Sequence, residues 1–234
     1  MTHSTNADLI ERAKGGAGEG LWLRADRQSG GRGRMGREWI SPSGNVYVSG
    51  LVRLLPNDPP ASTLAFVAAI AVHDILQQLA PNVDFRIKWP NDIMAMGAIA
   101  DPPAKLCGML LDRTGDAVIV GIGVNLSSHP ETLDRPVTSL LALGTEPPSP
   151  QQFTEKLAGA FAELLARWRT YGTQPILSLW QEKSYTAGTI LSVQLPDGDR
   201  LLGKYDGLTG EGALKLRLDN GDIHAIHAAD VFLV

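Results

Sequence analysis

The segment from Gln28 to Arg37 concentrates groups that bind anions. It holds four glycines and three arginines in ten residues. Glycine permits a positive φ and a close approach of the backbone to a ligand, and arginine presents a rigid fork of donors that matches phosphate or carboxylate. The sequence therefore predicts an anion cradle in this segment.

The glycine spacing alone does not identify the ligand. Gly31-x-Gly33-x-x-Gly36 fits a dinucleotide-binding fingerprint, which needs a preceding strand and a helix that begins at the last glycine. Residues 20–26 are a suitable strand, but Pro42 and Gly44 follow too soon for a helix. A protein-kinase loop is excluded because no catalytic or metal-binding Asp motif follows. Taken alone, the segment fits a solvated basic turn better.

Three further segments place polar groups at the ends of predicted strands. They are Lys88-Trp89-Pro90-Asn91-Asp92, Lys105-Leu106-Cys107-Gly108 and Gly121-Ile122-Gly123-Val124-Asn125. The two glycines of the last segment let a ligand or a neighbouring element approach the strand closely. The lysines and the asparagine are expected to point toward one mouth of the sheet.

The composition is that of an ordinary globular protein. Of the 234 residues, 44% are hydrophobic and 20% are charged, and the net charge is −4. Because positive charge gathers in one loop, the sequence argues against general nucleic-acid binding. The N-terminus lacks the features of a signal peptide, and no apolar run is expected to reach the roughly 18 residues that span a bilayer. The chain is therefore predicted to be cytoplasmic.

A single cysteine, Cys107, excludes an internal disulfide framework and a thiolate metal site. It has no histidine nearby in the sequence, so it is interpreted as a small buried hydrophobe rather than a nucleophile. No other cluster has metal-ligand spacing, and no metal site of the protein's own is predicted.

Periodicity divides the chain into two units with a boundary near residue 185. Residues 1–185 alternate helices and strands, and one of Ser4, Thr5 or Asn6 caps the first helix. Predicted helices cover 7–14, 62–79, 153–171 and 175–183, and predicted strands cover 20–26, 45–54, 85–92 (ended by its proline), 105–112 and 117–125. Residues 186–234 hold short β-prone runs separated by turn signals, which indicates a small all-β domain.

The motifs occur in an order that resembles one enzyme family. The shared residues are Ser4-Thr5-Asn6, Gln28, Gly31-Arg32-Gly33-Arg34-x-Gly36-Arg37, Lys88-Trp89-Pro90-Asn91-Asp92, Lys105-Leu106-x-Gly108-x-Leu110 and Gly121-Ile122-Gly123-Val124-Asn125. In order and approximate spacing they are similar to the biotin protein ligases across essentially the whole chain. Since Ser4 stands almost at the first residue, the expected type is monofunctional, without an N-terminal DNA-binding domain.

The resemblance implies a fold and a reaction. The fold would be α/β (α+β), a class II synthetase-like mixed sheet covered by helices and followed by a small SH3-like β-barrel. In the reaction, the biotin carboxylate would attack the α-phosphate of ATP, giving biotinyl-5′-AMP and pyrophosphate. A lysine of a biotin carboxyl carrier protein domain would then attack the acyl carbon and release AMP. Mg²⁺ would accompany ATP, as phosphoryl chemistry usually requires.

The resemblance also implies roles for individual residues. Biotin binding would fall to Ser4, Thr5, Asn6, Gln28, Arg32, Gly33, Arg34 and Lys88. ATP or adenylate binding would fall to Arg34, Arg37, Lys105 and Asn125. Lys88 would be catalytic as a point charge between carboxylate and α-phosphate, together with Arg32. Asp92, the third catalytic candidate, either helps to deprotonate the acceptor lysine or orients its loop.

The expected partners are biotin, ATP and the carrier domain, with neither nucleic acid nor a membrane. A homodimer joined through a sheet edge is compatible with the resemblance, although no stretch of the sequence indicates it. The glycine-rich loop between Gln28 and Arg37 has few apolar side chains that could pack against the protein. We therefore expect it to become ordered when biotin or adenylate binds.

Two other functions remain open on the sequence. A lipoate or octanoyl transferase shares the fold and modifies a carrier lysine, but it would need neither the polar set Ser4-Thr5-Asn6 with Gln28 nor the motif at 88–92. A biotin-responsive sensor would keep the pocket without turnover. Transfer of lipoate would favour the first function, and biotin binding without transfer would favour the second.

Overall fold

A six-stranded sheet forms the centre of the larger unit. The computed structural model describes residues 1–131, 133, 135–196 and 198–233. The strand order is β1-β2-β6-β5-β4-β3, and every neighbouring pair is antiparallel. The strands are β1 (Trp22–Ala25), β2 (Val46–Arg53), β3 (Asp84–Lys88), β4 (Asp92–Met96), β5 (Ala104–Thr114) and β6 (Ala117–Val124).

Among the described residues, parallel pairing to strands of this sheet is limited to isolated bridges between Ile87 and Ser184 and between Lys105 and Val137. Short connections, such as the one at Gly115, turn the chain straight back and leave only antiparallel neighbours. The predicted class, a sheet covered by helices, is confirmed, while the mixed character of the sheet is limited to these bridges. β4 was missing from the predicted strands, because the predicted strand 85–92 covers most of β3, the turn at 89–91 and only the first residue of β4.

Helices cover both faces of the sheet. They are α1 (Thr5–Lys14), α2 (Leu64–Leu79), α3 (Pro150–Tyr171) and α4 (Gln174–Glu182). Along β6, Val118 and Val120 belong to the large core that includes α2, whereas Ile119 packs with Leu9 of α1. Because side chains alternate along a strand, Gly121 lies on the face that carries α1.

Residues Ala61–Leu79 are long and apolar enough to cross a membrane by length and composition alone. The prediction that no run approaches this length was therefore wrong. The most apolar window has a mean hydropathy of 1.3 and is 67% buried within the protein, because α2 packs against the sheet, α3 and α4. Ser62, expected to cap the helix, lies instead in a 3₁₀ turn at Ala61–Thr63.

A second, five-stranded antiparallel sheet forms the C-terminal unit, in the order β10-β9-β8-β7-β11. Its strands are β7 (Ile190–Gln194), β8 (Arg200–Leu208), β9 (Leu214–Arg217), β10 (Ile223–Ile226) and β11 (Asp230–Leu233). The predicted small β domain is confirmed. Val234, predicted to end the last strand, and Asp197, in a predicted turn, lie outside the described residues. The boundary near residue 185 stays a prediction.

The two units share one hydrophobic core. The indole Nε1 of Trp89 donates to the carbonyl of Gly212 at 3.0 Å, and Gln181 Oε1 accepts from the amide of Leu208 at 2.9 Å. A Cβ at Gly212 would lie 2.4 Å from the Phe66 ring, so the backbone there meets α2 directly. These contacts hold the C-terminal sheet against the larger unit and bring β11 beside its concave face.

Candidate active site

A cavity of about 280 Å³ opens on the face of the large sheet that carries α1, with β11 at its edge. It brings together every predicted site residue except Asn125. Its lining includes Ser4, Thr5, Asn6, Gln28, Arg32, Gly33, Arg34, Arg37, Lys88, Asp92 and Lys105. The sequence motifs therefore meet in one place although they lie up to about a hundred residues apart.

The first turn of α1 places three polar side chains at one end of the cavity. Ser4 is the N-cap, with an extended backbone, and its Oγ accepts from the amide of Ala7 at 3.4 Å. The helix consequently begins at Thr5, and Ser4, Thr5 and Asn6 are all buried. Of the three predicted capping candidates, the structure selects Ser4.

Hydrogen bonds lock this end of the cavity. Gln28 Oε1 accepts from the Thr5 amide at 2.8 Å and from its hydroxyl at 3.1 Å. Ser49 Oγ lies 2.8 Å from Thr5 Oγ1 and 2.6 Å from Asn6 Oδ1, and Asn6 Nδ2 donates to Asp112 at 2.8 Å. We call Ser4, Thr5, Asn6, Gln28 and Ser49 the neutral cluster. Its buried polar atoms are paired, which fixes its geometry.

Three strand glycines make room for side chains at the site. A Cβ at Gly121 would lie 2.2 Å from Asn6 Oδ1. Gly108 and Gly123 face each other across β5 and β6, and Cβ atoms there would lie 2.9 and 2.6 Å from the Trp39 indole. Trp39 thus rests on a glycine platform, and its Nε1 is buried without a partner among the described residues.

The hairpin of β3 and β4 carries the lysine and aspartate of the 88–92 motif. Lys88 and Asp92 stand opposite each other across the hairpin, and Lys105 Nζ lies 2.6 Å from Asp92 Oδ1. Burial lowers the pKa of Lys88, and the carboxylate of Asp92 partly opposes this effect. A partly desolvated ammonium in a cavity interacts strongly with a bound anion.

The arginines of the glycine loop pair with groups from distant elements. Arg32 lies 3.8 Å from Asp112, and Arg34 donates to Asn91 at 3.4 Å. Arg37 forms an ion pair with Asp230 at the start of β11. We call residues 32–37 the cationic loop. Its partners are long or partly exposed contacts, so an anionic ligand can replace them.

Asn125 does not line the cavity. It is buried, and its amide donates to the carbonyl of Thr138 at 3.0 Å. The predicted contact with adenylate stays a prediction, and in the structure the side-chain amide is bonded to the backbone of the neighbouring segment. That segment includes Pro136, which does line the cavity, so Asn125 acts on the site through the backbone.

Sequence reasoning missed several residues at the cavity. Trp39 could have been found from the facing glycines Gly108 and Gly123, which indicate a large side chain between them. Arg135 lines the cavity, and its Nε is buried without a partner among the described residues. Phe232 lies with its ring centroid 5.6 Å from Lys88 Nζ. No local signal marks Phe232, because it comes from the other unit.

Cys107 behaves as predicted. It is fully buried in the main core, and burial raises the pKa of its thiol far above the usual range. The thiol is therefore inert in the folded protein.

Comparison with known proteins identifies the family. Residues 2–126 match the biotin/lipoate A/B protein ligase family, and residues 192–234 match the biotin protein ligase C-terminal domain. A biotin–[acetyl-CoA-carboxylase] ligase of Paracoccus denitrificans is 36% identical, over 99% of this chain and 97% of its own. The chain belongs to the biotin protein ligases. The corresponding ligase of Mycobacterium tuberculosis is 33% identical, over 99% of this chain and 86% of its own.

A solved structure agrees with this assignment. The biotin protein ligase of Aquifex aeolicus, in complex with biotin and ATP, superposes with a TM-score of 0.82 at 26% identity, covering 100% of this chain and 95% of its own. The first family description also covers lipoate ligases, whereas the C-terminal match is to biotin protein ligases alone. The C-terminal unit therefore separates this biotin protein ligase from the lipoate alternative.

Proposed function

We propose that this chain joins biotin to ATP as biotinyl-5′-AMP and transfers the biotinyl group to a lysine of a biotin carboxyl carrier protein domain. The observation that carries the proposal is a single cavity with the neutral cluster at one end and six cationic side chains around the rest. The cations are Arg32, Arg34, Arg37, Lys88, Lys105 and Arg135. Such a cavity suits a neutral polar ring that continues into a carboxylate and a phosphate.

The neutral cluster retains enough hydrogen-bonding capacity for a ureido ring. Ser4 uses its oxygen as an acceptor, so its proton is free to donate to a carbonyl. Gln28 engages one amide proton weakly with Ser41 at 3.4 Å and keeps the other. A ligand that lacked polar atoms here would leave such groups unpaired, at a cost of about 1–3 kcal/mol each. This favours biotin over lipoate.

In the first step, a biotin carboxylate oxygen forms a bond to the α-phosphorus, and the bond to pyrophosphate breaks. Both reactants are anions, so the step needs positive charge between them. Lys88 is a half-buried cation at the end of β3, and Arg32 and Arg34 approach from the cationic loop. Trp39, flat on its glycine platform, offers an aromatic surface to the adenylate.

In the second step, the acceptor amine attacks the acyl carbon, AMP leaves, and the amine loses a proton. Asp92 was assigned either to this deprotonation or to orientation. Its ion pair with Lys105, at 2.6 Å, supports orientation, because the carboxylate already holds a neighbouring side chain of the site. We therefore assign Asp92 to positioning Lys105.

Mg²⁺ enters this proposal with ATP. Among the described residues, no group of three His, Cys, Asp or Glu side chains could hold a metal ion. The cavity carboxylates Asp92 and Asp230 are already paired with Lys105 and Arg37. The phosphates of ATP would therefore be the main ligands of Mg²⁺. We place the reaction in the cytoplasm, where ATP is available and a free cysteine stays reduced.

The decisive experiment incubates the protein with ATP, Mg²⁺, biotin and a biotin carboxyl carrier domain, with lipoate as the parallel donor. Mass spectrometry of the carrier is expected to show biotin on one lysine and no lipoyl product. Lipoate transfer would replace the proposal with the transferase function. Tight biotin binding without pyrophosphate release or transfer would replace it with the sensor.

A further inference from the structure

One face of the C-terminal sheet carries an exposed apolar strip. Phe232, Ser192 and Leu202 stand opposite one another on β11, β7 and β8 and therefore share a face. Phe232 is 41% exposed and Leu202 is 55% exposed. Ile190, two residues from Ser192 on the same face, is 45% exposed. Ser192, which is buried, lies between Phe232 and Leu202, and exposed apolar side chains gathered on one face in this way mark an interaction site.

Cationic side chains edge this strip. Lys204 stands opposite Ile190, and Arg200 lies two residues before Leu202 on the same face. The guanidinium carbon of Arg200 is 6.0 Å from the ring centroid of Phe232. The face is therefore apolar along its centre and basic along one strand, and it suits a partner with an apolar patch bordered by acidic side chains.

The strip begins at the mouth of the cavity. Phe232 lines the cavity and lies against Lys88, so one side chain belongs to both surfaces. The ion pair between Arg37 and Asp230 joins the cationic loop to the same strand, and Met35 at the tip of that loop is 70% exposed. We call the strip, β11 and the cationic loop, which meet at Phe232 and at the Arg37–Asp230 pair, the rim of the opening.

The second step of the proposed reaction requires a protein at this opening. The acceptor amine reaches the acyl carbon on a single lysine side chain, so the surface around that lysine must rest on the rim. Within the described residues, the strip is the exposed apolar part of the rim that continues onto a flat sheet face.

We propose that Phe232, Leu202 and Ile190, with Arg200 and Lys204, form the docking surface for the carrier domain. The carrier contacts this strip through an apolar patch flanked by acidic side chains, and its lysine passes Phe232 to reach Lys88. This inference rests on the proposed function. It predicts that the strip affects transfer but not adenylate formation.

The test compares two leucines of equal exposure. Leu202 is 55% exposed in the strip, and Leu55 is 54% exposed after β2, away from the cavity lining. Leu202→Glu is expected to lower kcat/KM for the carrier about tenfold or more, mainly through KM, because it places a charge in an apolar contact. Pyrophosphate release without carrier is expected to stay within about twofold of wild type for both variants. Leu55→Glu is expected to keep wild-type transfer.

Charge reversal provides a second, independent variant. Lys204→Glu is expected to raise the carrier KM several-fold and to weaken its dependence on ionic strength. A carrier KM within about twofold of wild type for both Leu202→Glu and Lys204→Glu would overturn the docking surface. Dissociation of a wild-type dimer by Leu202→Glu, seen by sedimentation, would also overturn it in favour of a second copy of this chain. If the proposed function itself were wrong, the wild-type protein would form no adenylate. This result distinguishes an error in the proposed function from an error in the docking surface.

Discussion

The two ends of the cavity hold their polar groups in opposite ways. In the neutral cluster, four of the five side chains are buried, and bonds of 2.6–3.1 Å join Thr5, Asn6, Gln28 and Ser49 to one another. In the cationic loop, long side chains reach carboxylates from far along the chain. Arg32 and Arg37 remain about half exposed while doing so, at 52% and 41%.

This difference separates recognition from charge neutralisation. A cluster held by its own hydrogen bonds has one geometry before the ligand arrives, so it selects by shape and by the few donors it keeps free. Exposed ion pairs contribute little stability and are readily exchanged for a stronger anion. We therefore expect biotin to meet a preformed surface and ATP to meet side chains that change partners.

The largest effect should come from Lys88, the half-buried cation of the cavity. Lys88→Ala is expected to slow adenylate formation by roughly 10²–10³-fold, because it removes the charge between two anions in a desolvated site. Pyrophosphate release under single-turnover conditions measures this step. Lys156→Ala, an exposed lysine on α3, is the control and should be silent. Equal rates for Lys88→Ala and wild type would remove Lys88 from the mechanism.

The neutral cluster should be broken by one methyl group. Gly121→Ala would place a Cβ 2.2 Å from Asn6 Oδ1 and push the amide away from Ser49 and Asp112. The biotin KM is expected to rise about 10- to 100-fold, equivalent to roughly 1.4–2.8 kcal/mol, while the ATP KM changes little.

The matched control for this methyl group is Gly159→Ala in α3, where a Cβ meets nothing within 4 Å. It should leave biotin binding intact and raise the free energy of unfolding by about 0.5–1 kcal/mol. A biotin KM that is unchanged in Gly121→Ala would show that the cluster is adaptable rather than preformed.

Substitutions in the ion pairs that a bound anion can replace should have small effects. Asp230→Asn frees Arg37 and raises the positive potential in the cavity, so we expect the ATP KM to fall a few-fold and unfolding stability to change by less than about 1 kcal/mol. Asp206→Asn is the control, because the Arg217–Asp206 pair has similar exposure in the same unit but lies outside the cavity lining. A higher ATP KM in Asp230→Asn would mean that this contact positions the loop instead of competing with phosphate.

The pH dependence of adenylate formation and of stability tests the role of Lys88. Burial lowers its pKa, so the rate of adenylate formation should decline on the alkaline side below the usual lysine value of about 10.4. The same burial destabilises the folded protein while the amine is charged, and this cost shrinks as the pH rises past the lowered folded-state pKa and is gone above the unfolded-state value of about 10.4. Lys88→Met should therefore be more stable than wild type near neutral pH, by an amount that shrinks at alkaline pH. Urea unfolding at several pH values measures it.

The sequence predicted which residues meet at the site better than it predicted how their side chains are arranged there. The motif residues converge because each lies at a strand end or a helix start, and periodicity locates those elements without knowledge of their neighbours. For this reason, Lys88 and Lys105 were predicted to point toward the same mouth of the sheet. The bond from Asn125 to the Thr138 carbonyl could not be predicted, because an amide can turn either toward a ligand or toward a backbone carbonyl, and only packing decides.

Contacts between the two units were beyond sequence reasoning. Arg37 and Asp230 are 193 positions apart, and no local pattern links them. Phe232 is one apolar residue in a short strand, and its place over Lys88 depends on how the C-terminal sheet docks. The same limitation applies to α2, whose composition alone suits a membrane as well as a core.

The shared core makes folding of the two units cooperative. Buried residues from Val46 to Val231 form one continuous cluster, with Trp89 and Phe66 seated against the backbone at Gly212. Unfolding of the C-terminal sheet would expose these buried residues to solvent. It would at the same time remove Phe232 from the opening of the cavity. Unfolding and inactivation should therefore follow a single transition, and the C-terminal unit would not survive as an independent foldon.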